Sequence, residues 1–557
     1  MKASLNTGLQ QGFLADSHGG EDEMSSRFSR LPSCVDLLVD RHVREGRGDH
    51  IALVERSPKQ GRRSLSYESL MQLSLKAVRY LDDLMCRQES GQRLALVGAA
   101  TLENMVFWLG GMRSGRIVFL VGSGLPESYY SAFWNDFDPA LVLADRTALL
   151  SDAMPMPTIE GLDALYSDFS GGTSEGSSDA GELSGGFPRG DSPALVLATS
   201  GSTGKPRLCL HRHASFYDFE RTVTRRLWGL RHDDRVLASG GPHFSFGLQG
   251  VHVPLSIGAC AVLVPVRDRH EDLLEIIEEE RVSAFFAVPT LYSILMARAK
   301  RHYDTSNLRL SFSAGERLPD VLRERWEKWS GSRMLDSIGT TETFSPYLSE
   351  VVDAGAGLRR VSGFIYEVDA VGSSEEGIDQ LYSITLSGGC LMQGYLQDRK
   401  LIASCASSGF RTHDMFVCKD DVFYFVARDG DRVKVSGQWV CPQDLESFLM
   451  NDPRVLKVLV CPVQTDDGLL RLRAHVVPSS LEVLNDRAEW LAHELMVGIR
   501  EVVWPRALWP DRIDIVADLG STSSGKLLRR QQLCSNPSPR GVSPAPAPHA
   551  VVGPGCR

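Results

Sequence analysis

Short apolar runs alternate with longer amphipathic stretches through most of the chain. Arg93–Gly98 (RLALVG), Ala140–Ala144, Ala194–Ala198, Ala259–Pro265 and Ala284–Val288 are nearly continuous in Ala, Val, Leu, Phe and Cys. Runs of this length with both faces apolar predict buried strands. Tyr67–Leu84, Glu271–Glu280 and Asp320–Trp329 repeat apolar residues at helical spacing and predict helices. The alternation predicts an α/β architecture with largely parallel sheets.

The pattern fails in three places. Met1–Arg30 is polar and aperiodic, and Ser535–Arg557 is rich in Pro, so both ends are expected to be disordered. Ser167–Ser192, rich in Gly, Ser and acidic residues, predicts an exposed mobile loop just before a buried strand. Arg428–Asp431 (RDGD) lies between an aromatic strand, Val422–Val426, and the run Val433–Val440. It is the expected boundary between a large domain, 31–430, and a small one, 431–534.

Composition narrows the classes. The 557 residues exceed what one compact core holds. A net charge of -10 disfavours nucleic acid and anionic membranes as partners, because both select basic surfaces. No apolar stretch reaches membrane-spanning length, and no signal-like start is present. The 11 cysteines include no C-x-x-C pair, so reduced thiols in a soluble cytoplasmic protein are expected. His211 and His213 form an H-x-H pair without acidic neighbours, which does not predict a metal site.

The candidate chemistry begins at Ala194–His211 (ALVLATSGSTGKPRLCLH), where a predicted strand delivers the chain into TSGSTGKP. Gly201 and Gly204 let backbone N–H groups approach an anion closely. Thr199, Ser200, Ser202 and Thr203 add hydroxyls, and Lys205 adds charge. That set suits nucleotide phosphate. It is not the G-x-x-x-x-G-K-[S/T] loop of kinases and P-loop ATPases, because Thr199 stands at the first Gly and Pro206 follows the Lys.

TSGSTGKP resembles the phosphate-loop signature of the adenylate-forming superfamily, which includes acyl- and aryl-CoA ligases, peptide-synthetase adenylation domains and luciferases. Further motifs follow in the order this family has them. GPHFSFG at Gly241–Gly247 resembles the acyl-pocket segment, with Phe244 at the aromatic position. SAGERLP at Ser313–Pro319 resembles the adenine-side loop, here with Gly315 and Glu316. IGTTE at Ile338–Glu342 resembles G-x-T-E, which implies phosphate contact for Thr341 and Mg²⁺ for Glu342. RTHD at Arg411–Asp414 resembles T-G-D, implying a ribose contact for Asp414, and Arg428 matches the nucleotide-contacting Arg before the hinge. VKVSGQWVCP at Val433–Pro442, with Lys434, Ser436 and Gly437, is similar to benzoate-type CoA ligases. SSGKLLRR at Ser523–Arg530 resembles the C-terminal motif whose Lys, here Lys526, reaches the carboxylate and α-phosphate.

The resemblance covers roughly Cys34–Leu533. It implies the acyl-CoA synthetase/luciferase-like fold, with a large N-terminal domain and a small mobile α+β C-terminal domain. It also implies ATP, Mg²⁺ and coenzyme A as reactants, with a benzoate-like acid activated as its adenylate. Phe244, Ser245, Phe246, Ile338, Gly339 and Ser345 would form its pocket, with the serines accepting a polar substituent. Departures are Leu208 for Gly, His413 for Gly, Gly430 at the hinge, Gly520 and Ser521 for Pro and Lys, Phe246 for Tyr and Ser345 for His. Asp511 raises a second reading, in which the acyl group passes to the phosphopantetheine arm of an acyl or peptidyl carrier protein. The departures raise a third, a silent nucleotide-binding homologue. A monomer and a homodimer are both compatible with the sequence.

Overall fold

A computed structural model describes residues 28–519, except 59–60, 86–91, 126, 145–187, 200–205, 266–268, 374–379, 403–408, 436–437, 465–468, 481–482, 485–486 and 504. The expected loop at Ser167–Ser192 falls largely outside these residues. So do both expected disordered ends, apart from residues 28–30, where the buried Phe28 accepts from Leu31 in a turn on which Gly190 closes.

The apolar runs fold as their composition requires. Arg93–Val97, Ile117–Val121, Leu141–Ala144 and Pro193–Ala198 form the parallel part of a seven-stranded sheet. Its other strands, Leu208–Arg212, Gly394–Gln397 and Lys400–Ile402, join antiparallel. A nine-stranded sheet has a parallel centre that includes Cys260–Leu263, Ala284–Ala287, Leu310–Ser313 and Arg333–Gly339. One core spans both sheets, uniting Leu53 and Phe286 with Leu94 and Leu195.

Leu102–Arg113 lies within that core with all its residues except Glu103 buried, which explains why it lacks a polar face. Gly110 allows the neighbouring helix Tyr67–Met85 to come close, since a Cβ there would stand 2.7 Å from Ala77 Cβ.

The expectation of largely parallel sheets does not extend past residue 360. Ile365–Ser373, Gln380–Ser387, Phe410–Lys419 and Val422–Arg428 form a wholly antiparallel four-stranded sheet. Beyond Asp431 come the hairpin Val433–Val435/Gln438–Val440 and a three-stranded sheet of Val455–Gln464, Leu470–Pro478 and Pro510–Ile515. Pro442–Met450 and Ala488–Val502 share one core with that sheet. Leu456, Leu459 and Val477 belong instead to a cluster with Leu291, Leu295 and Trp326. Among the described residues, no helix is long and apolar enough to cross a membrane.

Candidate active site

The strand Pro193–Ala198 ends at Thr199, whose N–H donates to Arg207 O at 2.8 Å. Arg207 N–H returns a bond to Thr199 Oγ1 at 2.9 Å. These two bonds close the stem of the predicted phosphate loop. Ser200, Gly201, Ser202, Thr203, Gly204 and Lys205 lie outside the described residues, as do Ser436, Gly437 and Lys526. Leu208, where the family has Gly, is fully buried, paired with Ala198 and Leu396, and packs in a cluster with Phe119 and Leu210. The closing glycine has become a core residue.

Glu342 reaches the stem from the second sheet. Arg333–Gly339 ends in a 3-10 turn, Thr341–Thr343, capped reciprocally by Thr340 and Thr343. This turn presents Thr341 and a carboxylate only 7% exposed. Glu342 Oε1 accepts from Tyr395 Oη at 2.7 Å and from Arg207 Nη2 at 3.3 Å, across 135 residues of sequence. The Arg207 guanidinium stacks on the Tyr395 ring, 4.2 Å from its centroid. Burial and the Glu342 charge raise the Tyr395 pKa, so its proton stays on the phenol.

The next residue but one, Phe344, is non-glycine yet has φ 60°. Such a backbone persists only where surroundings hold it. Here Phe216, Phe219, His211 and His252 enclose the ring, with His252 stacked at 5.2 Å. Ser245 Oγ also donates to the Phe344 carbonyl at 3.2 Å.

Asp414 is 1% exposed. Its Oδ1 accepts from Arg428 Nε at 2.8 Å, and Tyr347 Oη donates to Oδ2 at 2.5 Å. Asp414 and Arg428 are direct cross-strand partners, so two sequence-predicted nucleotide contacts meet. The pairing Thr385↔Arg411 and Ser383↔Met415 leaves a bulge at residues 412–414. His413 there has φ 61°, the conformation that the family's Gly supplies without strain.

Glu316, in the loop expected on the adenine side, turns its carboxylate to a neighbouring helix. Its Oε2 accepts from Thr290 N at 3.1 Å and Thr290 Oγ1 at 2.7 Å. It thus caps the helix Pro289–Arg298 and ties the loop containing Gly315, φ 86°, to that helix. Arg317, beside it, pairs with Asp444 at 2.5 Å. Gly430 has φ 92° in an exposed turn closed by Asp431 N to Arg428 O at 3.0 Å, and Lys434 is exposed in the following strand.

Phe246 packs edge-on against Phe286, and Ile338 and Phe246 both border the large core. Ser345 is buried, with Oγ donating to Pro346 O at 3.2 Å. Gly339 lets the hairpin to Pro346 close, since a Cβ would meet Pro346 Cα at 3.1 Å. Sequence reasoning missed Arg207, Tyr395 and Asp336. Asp336 pairs with Ser313 beside the Ala314–Glu316 loop, and burial, helped by the Glu350 charge, raises its pKa to about 7. A lone acid inside the apolar strand RMLDSIG was the available signal.

The sequence profile of the AMP-binding enzyme family matches residues 39–396. The chain belongs to this family. It is an adenylate-forming enzyme by descent, as its ordered motifs imply. It is 30% identical over 519 residues to the 4-hydroxybenzoate–CoA/benzoate–CoA ligase of Rhodopseudomonas palustris, covering 88% of this chain and 92% of that protein. It is 28% identical over 441 residues to the benzoate–CoA ligase of Thauera aromatica, covering 76% and 82%. Among solved structures, a benzoate CoA ligase from Burkholderia xenovorans superposes with a TM-score of 0.74 at 24% identity, over 90% of this chain and 100% of the other. An anthranilate CoA ligase in complex with anthranoyl-AMP gives 0.76 at 22%, over 90% and 97%. These two likenesses establish the acyl-CoA ligase fold of this AMP-binding enzyme.

Proposed function

We propose that this AMP-binding enzyme activates a benzoate-like aryl acid with ATP and passes the acyl group to coenzyme A. The observation that carries the reading is the meeting of Glu342 with the phosphate-loop stem through Arg207 and Tyr395. It brings two distant motifs, each with a phosphate-directed role in the family, to one place.

A carboxylate oxygen of the acid attacks the α-phosphorus of ATP, and pyrophosphate leaves as the P–O bond forms. Both partners are anions, so fixed positive charge at the reacting centre lowers the barrier. Lys526 supplies it in this reading, and the Thr199–Lys205 loop cradles the departing phosphates. Asp414 and Arg428 hold the nucleoside side, the carboxylate on the ribose hydroxyls. Glu342 is a hard oxygen donor, and among the described residues no group of three His, Cys, Asp or Glu forms a closed cage. One carboxylate plus substrate phosphates suits Mg²⁺, which when bound neutralises phosphate charge.

In the second half the thiol sulfur attacks the acyl carbonyl, AMP leaves, and the thiol proton goes to solvent. The C-terminal part, from Asp431, turns about Gly430 between the halves. Its contacts with the larger part include the exposed Arg317–Asp444 pair, which would have to break. Asp511, the residue that favoured a carrier protein, pairs with Arg473 at 3.2 Å, so its charge is met internally and coenzyme A is the preferred acceptor.

The test is acid-dependent ATP–pyrophosphate exchange with a panel of aryl and alkyl acids, followed by thioester formation with coenzyme A or carrier proteins. Exchange with aryl acids and thioester with coenzyme A are expected. Exchange with none of the acids would favour a silent homologue and overturn the reading.

A further inference from the structure

Both pocket serines already use their hydroxyl hydrogens on backbone carbonyls, Ser245 on Phe344 and Ser345 on Pro346. His243 is placed differently. It ends the loop between the strand Arg235–Ala238 and the helix Ser245–Ile257, directly before Phe244. Its ring lies between two glycines. A Cβ at Gly122 would stand 2.7 Å from Nε2, and one at Gly241 would stand 2.6 Å from Cε1. Side chains at either position would drive the ring out.

So held, the imidazole contacts the Phe244 ring with centroids 4.1 Å apart. Nδ1 and Nε2 are both shielded from solvent, and neither has a hydrogen-bond partner among the described residues. Burial pushes the pKa down to about 4, so the ring is neutral at pH 7, with one N–H donor and one acceptor. The ring lines a narrow recess with room for about one water-sized group, shared with Leu96, Asn104, Met105, Leu120 and Val121. The strand Ile117–Val121, which borders the recess, pairs with the strand that enters the phosphate loop. The recess therefore lies near the end of the parallel strands at which Ala198 runs on to Thr199.

A buried polar pair without partners is costly to keep unless a ligand satisfies it. The lining, which carries Asn104 but no charged side chain, disfavours an ionised group and suits a small neutral one that both donates and accepts. The His243 ring links the recess to Phe244, the aromatic residue that the resemblance assigns to the acid's pocket. Resting on the aryl-acid reading, we propose that His243 is a specificity-determining residue that hydrogen-bonds a hydroxyl or amino substituent on the acid's ring.

The experiment compares benzoate with its hydroxy- and aminobenzoate isomers by pyrophosphate exchange, in the wild type, His243→Leu and His243→Gln. The wild type is expected to favour at least one substituted isomer over benzoate by about tenfold in kcat/KM, the scale of one buried hydrogen bond. His243→Leu should erase that preference while leaving benzoate itself within about twofold, and His243→Gln should restore part of it. A wild type indifferent to substituents overturns the proposal without any variant. A preference that survives His243→Leu overturns it too, as does a variant effect absent from exchange and confined to the KM for coenzyme A in the thioester assay, which would place the thiol at His243. No exchange with any aryl acid would instead refute the underlying reading, so the two failures are distinct.

Discussion

Lowering the pH from 6 to 5 should destabilise this protein, well above the range in which ordinary carboxylates protonate. His42, His211, His213 and His252 are each at most 1% exposed. Burial holds their pKa values down, to about 4 for His42 and about 3 for the other three. In the unfolded chain each returns to about 6.5 and takes up protons in this window, while the folded forms stay neutral. Depressed histidine pKa values therefore remove stability as the pH falls below 6.5. The linkage gives about 1.2 kcal/mol per histidine between pH 6 and 5, or about 5 kcal/mol for four.

Asp336 works in the opposite direction. Its raised pKa of about 7 lets the folded state bind a proton that the unfolded state does not, which offsets about 1.3 kcal/mol. The net loss is about 3.5 kcal/mol, a large share of an ordinary folding free energy. Urea unfolding followed by tryptophan fluorescence at pH 6 and pH 5 measures it, Trp228 and Trp326 being fully buried. A midpoint that stays constant or rises on acidification would refute the reasoning. Replacing His252 by Phe should flatten the dependence by about a third.

Leu208→Ala should cost about 2–5 kcal/mol of stability in thermal unfolding, because the side chain fills a core and a cavity would follow; a neutral result would mean the position still tolerates the family's glycine. Tyr395→Phe removes one of the two donors on Glu342 Oε1. Pyrophosphate exchange at limiting magnesium should then fall on the order of tenfold, and an unaltered magnesium dependence would remove Tyr395 from the site. Glu280, 4% exposed, accepts from Arg56 at 3.0 Å, Arg62 at 2.9 Å and also from Arg235. Glu280→Ala strands those guanidinium groups and should lower stability by about 3 kcal/mol in the same unfolding assay.

The parallel strands were legible because burial on both faces leaves an unbroken apolar run such as ALVLA. The antiparallel sheet past residue 360 was legible only at the aromatic run Val422–Val426, since half-exposed strands such as Gln380–Ser387 mix polar and apolar residues and give no apolar run. At the site, motif order named Glu342, Asp414 and Arg428 as candidates, and the fold sets Asp414 beside Arg428. Tyr395 and Arg207 escaped notice because their role depends on two strands meeting, Gly394–Gln397 beside Leu208–Arg212. Glu316 was legible as a motif residue, but its capping of Thr290 follows only from tertiary placement. His413 and Leu208 read as losses; one keeps the left-handed backbone of the glycine it replaces, and the other has joined the core.

The central claim is that an acid is joined to the α-phosphate of ATP. Benzoate or a hydroxybenzoate labelled with ¹⁸O in its carboxylate, incubated with ATP and coenzyme A, tests it most directly. The account predicts that AMP is formed carrying one ¹⁸O on its phosphate, left there when the thiol cleaves the acyl-adenylate. Label in inorganic phosphate with ADP as the nucleotide product, or unlabelled AMP, would contradict it.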